Sequence, residues 1–268
     1  MMKNETTSIT RRFNSLQRLY GEKATEQLAQ SHVFIAGIGG VGSWAVEALA
    51  RSGVGELTLA DLDHVAESNI NRQVHALSST IGKAKIEAMA ERIYEINPLC
   101  KVNLIDDFVD ADNIESYLNQ YKADVLLDCT DQVKAKVAML LAARSKNIPF
   151  FMCGGAGGKT DVFSLQYTDL AYVKQDNLLG RIRQILRKEY DYPKGSDKRG
   201  KALKNPPKMG VKCVWFDQKA RLPDLWINPD QAPQGLSCAG YGSSVVVTSS
   251  MGMAVANLAI AILLSNSD

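Results

Sequence analysis

A glycine-rich turn, Gly37-x-Gly39-x-x-Gly42, narrows the possible folds of this chain more than any other segment. The apolar run His32–Ala36 before it is typical of a buried strand. Residues 43–51 after it carry apolar positions at helical spacing, and Glu56–Ala60 is predicted to be a second strand. This order is a βαβ unit, which implies parallel strands joined by a right-handed crossover.

The alternation of strands and helices continues beyond this unit. Helices are predicted over 86–96 and 133–141, and strands over 102–105, 123–128 and 148–152. We therefore expect an α/β fold with a Rossmann-like, doubly wound, mainly parallel sheet, whose ligand lies beyond the carboxyl ends of the strands.

The pattern changes after residue 160, where 161–167 looks extended and 211–216 is a further strand candidate. These segments predict a mixed C-terminal extension of the sheet. The expected organisation is a helical arm at 1–30, a Rossmann-like region at 31–160, and a C-terminal part of the same domain at 161–268.

The glycine turn predicts a nucleotide site. Its glycines (Gly37, Gly39, Gly40 and Gly42) allow phosphates to approach the backbone amides at a helix N-terminus. Asp61 ends the second strand, where an acidic side chain binds ribose hydroxyls. An NAD-dependent oxidoreductase needs little beyond these elements and is therefore one alternative.

Polar residues downstream favour ATP over NAD. They are Asp63, Asn69, Arg72, Gln73, Lys83 and Lys85. Several cations close to a phosphate-binding turn suit a triphosphate that loses pyrophosphate. Asp131 follows another predicted strand at the same edge of the sheet, where its carboxylate is a candidate ligand for Mg²⁺.

Gly158-Lys159-Thr160 resembles the end of a P-loop. Cys153 stands where the opening glycine is required, and an extended segment follows instead of a helix. We therefore do not expect a P-loop here.

The region 181–212 is strongly basic, although the whole chain has a formal net charge of only +2. Eleven basic residues face three acidic ones there, and Tyr190 and Tyr192 lie between them. We expect a basic loop that binds an RNA phosphate backbone. The alternative is a solvated surface loop.

The five cysteines are scattered and form no Cys-x-x-Cys pair, which argues against a disulfide framework or a thiolate zinc site. The N-terminus lacks the apolar core of a signal peptide, so we expect a cytoplasmic protein. The apolar segment 243–264 is long enough for a membrane span. Its Ser, Thr and Gly content favours a core or subunit-interface element, with a short strand at 245–247 and a helix from 249.

Four motifs lie within residues 10–160, namely GIGGVGSWAVEALARSGVGELTLADLD, SNINRQ, GKAK and LLDCTDQV. In these motifs the sequence resembles the ubiquitin-activating-type adenylating enzymes, which include the ThiF and MoeB proteins, and the resemblance covers most of that range. The resemblance implies that Gly39 and its neighbours cradle ATP, that Asp61 holds the ribose, and that Asp131 binds Mg²⁺. Asn69, Arg72 and Lys85 would contact phosphates, with Arg72, Lys85 and Asp131 serving in catalysis.

The remaining chain, with FFMCGGAGGKTD and the basic region, resembles the tRNA-modifying dehydratases of that superfamily. This implies a tRNA bearing N6-threonylcarbamoyladenosine as substrate, an acyl-adenylate intermediate, a homodimer, and no role for DNA. Family members often carry an N-terminal arginine that reaches a partner subunit's ATP. Ser15 stands at that position here, and Arg12 and Arg18 are candidate replacements.

Cys238 supports a competing hypothesis. It lies in the glycine-rich segment GLSCAGYGSS, where an exposed thiol would be available for chemistry. A sulfur-relay protein served by a cysteine-desulfurase system is therefore an alternative, as is MoeB-like or ThiF-like adenylation of a carrier protein. The simplest alternative for Cys238 itself is a small buried side chain.

Overall fold

The computed structural model describes residues 2–222 and 238–265 of the 268-residue chain. The N-terminal arm holds two helices, α1 (Met2–Tyr20) and α2 (Glu22–Gln30). The alternating region contains β1 (His32–Ala36), α3 (Gly42–Arg51), β2 (Glu56–Ala60), α4 (Lys85–Ile96), β3 (Lys101–Ile105), α5 (Ile114–Tyr121), β4 (Val125–Asp128), α6 (Val133–Ser145) and β5 (Phe150–Cys153). The C-terminal part adds β6 (Leu165–Asp169), α7 (Asn177–Glu189), β7 (Lys212–Phe216), α8 (Cys238–Tyr241) and α9 (Val245–Ser265).

One seven-stranded sheet organises the described residues, in the order β3-β2-β1-β4-β5-β7-β6. All neighbours are parallel except β6, which pairs antiparallel with β7. This confirms the predicted fold class. The strand order reverses between β1 and β4, and such a switch point opens a crevice at the carboxyl ends of the strands.

Helices cover both faces of the sheet. One apolar layer joins the sheet to α3, α4 and α9, and the other joins it to α5, α6 and α7. Because both faces are covered, the central strands β1 and β4 are buried at every position. Helix α5 was not predicted from the sequence, and α1 and α2 were predicted as one helical arm. The two helices of that arm are separated at Gly21, which adopts a φ of 91°.

The predicted strand at 245–247 is wrong, because these residues form the first turn of α9. Val247, Met251 and Val255 are buried at a spacing of four residues, whereas Val245 and Val246 are exposed. Packing of the buried stripe against α3 overrides the β propensity of three consecutive valines. At Gly252 a Cβ atom would lie 2.5 Å from the Val41 carbonyl oxygen, so glycine permits this close approach of helices.

Within the described residues, α9 is the one helix long and apolar enough to cross a membrane. Its stripe of buried positions belongs to the same apolar layer as α3 and the central strands. This packing fits the predicted core helix.

The prediction that the whole segment 181–212 is a loop is also wrong. Its first part belongs to the amphipathic helix α7, which buries Leu179, Ile182 and Leu186. The Asp176 side chain caps this helix by accepting a hydrogen bond from the Leu179 amide at 2.9 Å. The basic residues occupy the exposed face of α7, so they mask its apolar helical period in the sequence.

Tyr192, one of the two tyrosines between the basic residues, is not available for contact with RNA. Its side chain is buried, and the Arg144 guanidinium carbon lies 4.9 Å from its ring centre. Tyr190 remains exposed. The two tyrosines therefore have different environments despite being two residues apart.

A candidate nucleotide-binding site

The glycine turn between β1 and α3 is built by contacts that leave no space for side chains at two positions. Gly37 has a φ of 84°, and a Cβ atom there would lie 2.9 Å from the Cys129 carbonyl carbon. A Cβ atom at Gly42 would lie 1.8 Å from the Gly37 carbonyl oxygen. At Gly39 the nearest atom would be Gln73 Nε2 at 4.0 Å. Gly37 and Gly42 thus shape the turn, whereas Gly39 leaves open space in front of it.

Asp61 connects the end of β2 to this turn. Its Oδ2 atom accepts a hydrogen bond from the Ile38 amide at 2.6 Å, and Oδ1 accepts one from the Asp63 amide at 2.9 Å. Burial raises the pKa of Asp61, and the Lys85 ammonium and these two amides oppose that shift. The carboxylate is thereby fixed beside the turn, with further lone pairs to offer a ligand.

Lys85 stands at the start of α4 and is buried at the floor of the site. Its Nζ atom donates a hydrogen bond to Asp63 Oδ2 at 2.6 Å and lies 3.9 Å from Asp61 Oδ1. The ammonium is therefore neutralised by two carboxylates. Lys83, also predicted near the phosphates, pairs instead with Glu91 at 2.8 Å and is not among the residues of the cavity.

The segment 69–73 carries three predicted site residues at the end of a short 3-10 helix (Glu67–Asn69) and in the turn that follows it. Asn69 stabilises that turn by accepting a hydrogen bond from the Ala66 amide at 3.1 Å. The Arg72 carbonyl oxygen accepts from Trp44 Nε1 at 3.0 Å and from Thr248 Oγ1 at 3.3 Å. Gln73 is buried, and its Oε1 atom lacks a hydrogen-bond partner in the described part of the chain. Because Gln73 also lines the cavity described below, its side-chain amide is a candidate contact for a ligand.

A buried ion pair between the end of β4 and helix α6 fixes the loop that joins them. Lys136 Nζ lies 3.0 Å from Asp128 Oδ1, and both side chains are fully buried. Burial alone would lower the pKa of Lys136, but the Asp128 carboxylate together with the Cys153 and Cys129 side chains outweighs it and keeps that pKa above the ordinary value. Thr130 also donates to Asp128 Oδ1, at 2.8 Å. The pair fixes the loop that carries Asp131, which is exposed at its tip.

These elements enclose a cavity of about 390 Å³ at the switch point between β1 and β4. Its walls include the predicted residues Gly37, Gly39, Gly40, Asp61, Asp63, Asn69, Arg72, Gln73, Lys85 and Asp131. Gly42 lies behind the turn and shapes it. Cys238 belongs to α8, but its side chain is outside what the structure describes, so its proposed thiol chemistry stays a prediction.

Sequence reasoning missed several walls of this cavity. Phe108 and Val109 follow β3, and the strand-end rule that identified Asp131 could have found them. Ser243 and Thr248 precede and open α9, far along the chain, and no local motif marks them. A Cβ atom at Gly40 would lie 3.1 Å from Thr248 Cγ2, so α9 closes one side of the glycine turn.

We compared the sequence with models of known protein families. The ThiF family model matches residues 11–267, almost the whole chain. The chain belongs to the ThiF family.

Relatives within the ThiF family include the tRNA threonylcarbamoyladenosine dehydratase of Escherichia coli strain K12. It is 40% identical over 256 residues, which cover 93% of this chain and 92% of that protein. The crystal structure of the E. coli tRNA N6-threonylcarbamoyladenosine dehydratase TcdA in complex with ATP has a TM-score of 0.83, with 38% identity and 96% of both chains covered.

A carrier-activating relative matches less of the chain. The molybdopterin-synthase adenylyltransferase of E. coli strain K12 is 31% identical over 159 residues, covering 58% of this chain and 62% of that protein. The MoeB-like alternative is therefore not favoured.

Proposed function

We propose that this chain catalyses the ATP-dependent dehydration of N6-threonylcarbamoyladenosine in tRNA. The similarity to the E. coli dehydratase over nearly the full length of both proteins is the observation that carries this proposal. The cavity at the carboxyl ends of β1, β2 and β4 supplies a matching place for ATP. An NAD-dependent oxidoreductase is not supported by any of these relatives.

The reaction has two steps in this proposal. The threonylcarbamoyl carboxylate attacks the α-phosphorus of ATP, an O–P bond forms, and pyrophosphate leaves. A nucleophilic group of the same modified nucleoside then attacks the acyl carbon, closing a ring and releasing AMP and a proton. Because the second step is intramolecular, proximity alone favours it, and no protein nucleophile is required.

The site residues divide this work among them. The backbone of Gly37, Gly39 and Gly40 receives phosphates, and Asp61 accepts hydrogen bonds from ribose hydroxyls. Arg72 and Lys85 stabilise the charge that develops on the phosphates, with Asn69 and Gln73 as polar contacts. For Lys85 this requires an exchange of partners, because its ammonium is bound to Asp63 in the structure.

Asp131 is the proposed ligand of Mg²⁺. Its carboxylate lines the cavity, and a magnesium ion bound to a nucleotide needs only one or two protein carboxylates, since phosphates and waters complete its shell. No group of three or more His, Cys, Asp or Glu residues that could hold a metal occurs in the described ranges. The residues present therefore fit a metal that arrives with ATP, which when bound would neutralise phosphate charge.

The basic surface around α7 is the proposed tRNA contact. Arg183 donates to the Leu170 and Val173 carbonyls, and Arg187 donates to the Pro193 carbonyl, so these two arginines serve the fold. The exposed cations of residues 181–212 that remain are Arg181, Lys188, Lys194, Lys198, Arg199, Lys201, Lys204, Lys208 and Lys212. Such a surface suits a phosphate backbone, and Tyr190 is free to stack on an unpaired base.

Several finer features belong to the same proposal. We infer a cytoplasmic homodimer of ligase type, in which 31–160 carries the nucleotide site and 161–268 completes one adenylation domain. The exposed Val245, Val246 and Met253 of α9 give an uncharged surface suited to a subunit contact. Arg12 donates to the Glu95 and Ile96 carbonyls of its own chain, which leaves Arg18 as the candidate to reach a partner's nucleotide.

Turnover with α-labelled ATP tests the proposed function. Labelled AMP is expected only with tRNA that bears threonylcarbamoyladenosine. Asp131→Asn and Arg72→Ala are expected to lower the rate by about 10²–10³-fold, as for other electrostatic contacts to a transition state, with unchanged circular dichroism. AMP formation that does not depend on the modified tRNA would refute the proposal.

Cys238→Ala separates the sulfur-relay alternative from the dehydratase. The dehydratase mechanism needs no thiol, so we expect this variant to keep wild-type turnover. Loss of turnover in a well-folded variant would instead favour covalent chemistry, together with sulfur-transfer partners.

A further inference from the structure

A second cavity of about 360 Å³ adjoins the nucleotide cavity and has a different lining. The two share Asp131 and Gly157 as a common wall. The rest of the lining of the second cavity includes Lys159, Gln175, Asp176, Asn177, Leu178 and Ala220. Its volume is within the range of small-molecule sites, and its walls combine apolar side chains with a few polar groups.

Lys159 is the unusual member of this lining. Its side chain is only 4% exposed, and its Nζ atom donates hydrogen bonds to the carbonyls of Gln175 and Gln218. In the described part of the chain, no carboxylate lies within 4.0 Å of that atom. An ammonium has three donors, so one remains after these two bonds.

The rest of the wall offers Lys159 little compensation. The Asp176 carboxylate is already used by the Leu179 and Gly155 amides, each at 2.9 Å. Burial accordingly lowers the pKa of Lys159, and the more distant Asp176 and Asp217 oppose that shift only in part. A buried cation without an ionic partner is costly unless a ligand supplies the opposite charge.

The backbone around Lys159 is fixed firmly enough to position this charge. The Gly158 amide donates to the Gly242 carbonyl at 2.9 Å, and its carbonyl accepts from the Arg221 amide at 2.8 Å. The Thr160 amide donates to Gln218 Oε1 at 2.8 Å. The Gly-Lys-Thr motif, which does not form a P-loop, thus holds one lysine in the wall of a cavity.

We propose that the second cavity binds the N6-threonylcarbamoyl group of the substrate nucleoside and that Lys159 binds and orients its carboxylate. This inference rests on the proposed function and specifies the substrate subsite. The carboxylate then reaches the nucleotide cavity past Asp131 and Gly157, the two residues that line both cavities. One buried cation matches one negative charge, and the apolar Leu178 and Ala220 suit the uncharged remainder of the group.

A pair of ligands that differ only in this charge tests the assignment. One is an anticodon stem-loop RNA bearing threonylcarbamoyladenosine, and the other is the same RNA with the carboxylate converted to a carboxamide. Binding is measured with a non-hydrolysable ATP analogue present. We expect the wild-type protein to prefer the carboxylate at least about tenfold, as for a charge-assisted hydrogen bond in a buried site.

Lys159→Gln is expected to abolish this preference while the affinity for the ATP analogue stays within about twofold, because glutamine still donates hydrogen bonds to nearby carbonyls. Asn177→Asp adds a negative charge to the wall of the same cavity and favours helix α7, since acidic residues stabilise the first turn of a helix. It should weaken binding of the carboxylate RNA but not of the carboxamide RNA. Lys101→Gln, at the opposite edge of the sheet, is the matched control and should keep the preference.

The outcomes separate this inference from the function it builds on. If wild-type protein forms AMP with the modified tRNA but Lys159→Gln keeps the carboxylate preference, the subsite assignment is overturned and the dehydratase proposal stands. If wild-type protein forms no AMP with that tRNA, the proposed function itself fails, and the subsite with it.

Discussion

The two adjoining cavities balance charge in opposite ways. In the nucleotide cavity, Lys85 is bound between Asp61 and Asp63, and Lys136 below the loop is paired with Asp128. In the second cavity, the partners of the buried Lys159 among the described residues are two carbonyl groups. The Lys85 ammonium of the first cavity is thus neutralised by carboxylates, whereas the Lys159 ammonium of the second is balanced by carbonyl dipoles.

In the proposed mechanism, this difference allows one crevice to bind two anionic groups at separate places. The triphosphate of that mechanism is bound by the glycine turn, the helix N-terminus and adjustable ion pairs, all of which distribute charge. A single carboxylate needs only one fixed cation and a shaped wall. The two cavities therefore differ in how their buried lysine is paired, although Asp131 and Gly157 line both.

The largest expected effect concerns the stability of the two buried lysines. Lys136→Met leaves the Asp128 carboxylate buried and unpaired, so we expect the free energy of unfolding to fall by about 3–5 kcal/mol. Lys159→Met removes two hydrogen bonds and an unpaired charge, and we expect a loss of only about 1–2 kcal/mol. Urea unfolding of both variants measures the contrast. Equal losses would show that the two lysines do not differ as the comparison requires.

The glycine turn gives the next largest effect. Gly42→Ala places a methyl group 1.8 Å from the Gly37 carbonyl oxygen, which the turn cannot accept without moving. We expect a loss of about 3 kcal/mol in unfolding free energy and no measurable ATP binding. Gly39→Ala is the matched control, because its methyl group meets nothing closer than 4.0 Å. It should unfold like wild type and lose only ATP affinity, by about tenfold; destabilisation by Gly39→Ala would contradict this division of roles.

A smaller effect sharpens the charge balance on the nucleotide side. His75 is buried, and burial together with the Lys85 and Arg92 cations lowers its pKa to about 4 from 6.5. Between these values the unfolded chain binds a proton that the folded protein excludes. Stability is therefore complete above pH 6.5 and falls as the pH drops towards 4, by about 2 kcal/mol at pH 5.

His75→Leu removes this contribution. We expect the difference in unfolding free energy between wild type and variant to change by about 2 kcal/mol between pH 7 and pH 5. A constant difference across that range would mean that His75 takes up its proton as readily in the folded protein as in the unfolded chain.

Much of the nucleotide cavity could be predicted because its parts are near in sequence. Gly39, Asp61, Arg72 and Lys85 belong to one βαβ unit and the segment after it, and parallel strands bring their carboxyl ends to one edge. The ion-pair partners of the lysines in this region could not be predicted in the same way. That Lys85 pairs with Asp63, and that Lys83 turns away to Glu91, depends on where α4 packs.

The C-terminal part was harder to predict for the same reason. The period of α7 was concealed by its many basic residues, and the valines that begin α9 favour a strand in isolation. Burial against the sheet and α3 decided both elements, because apolar area removed from water outweighs local propensity.

The sequence by itself determined the doubly wound sheet, the glycine turn and the polar residues around it, because periodicity and glycine geometry act locally. Only the tertiary structure decided that Thr248 closes the nucleotide cavity and that Lys159 lies in the wall of a second one. Those two positions depend on chain segments far apart in sequence, and their side chains acquire meaning only from neighbours that folding supplies.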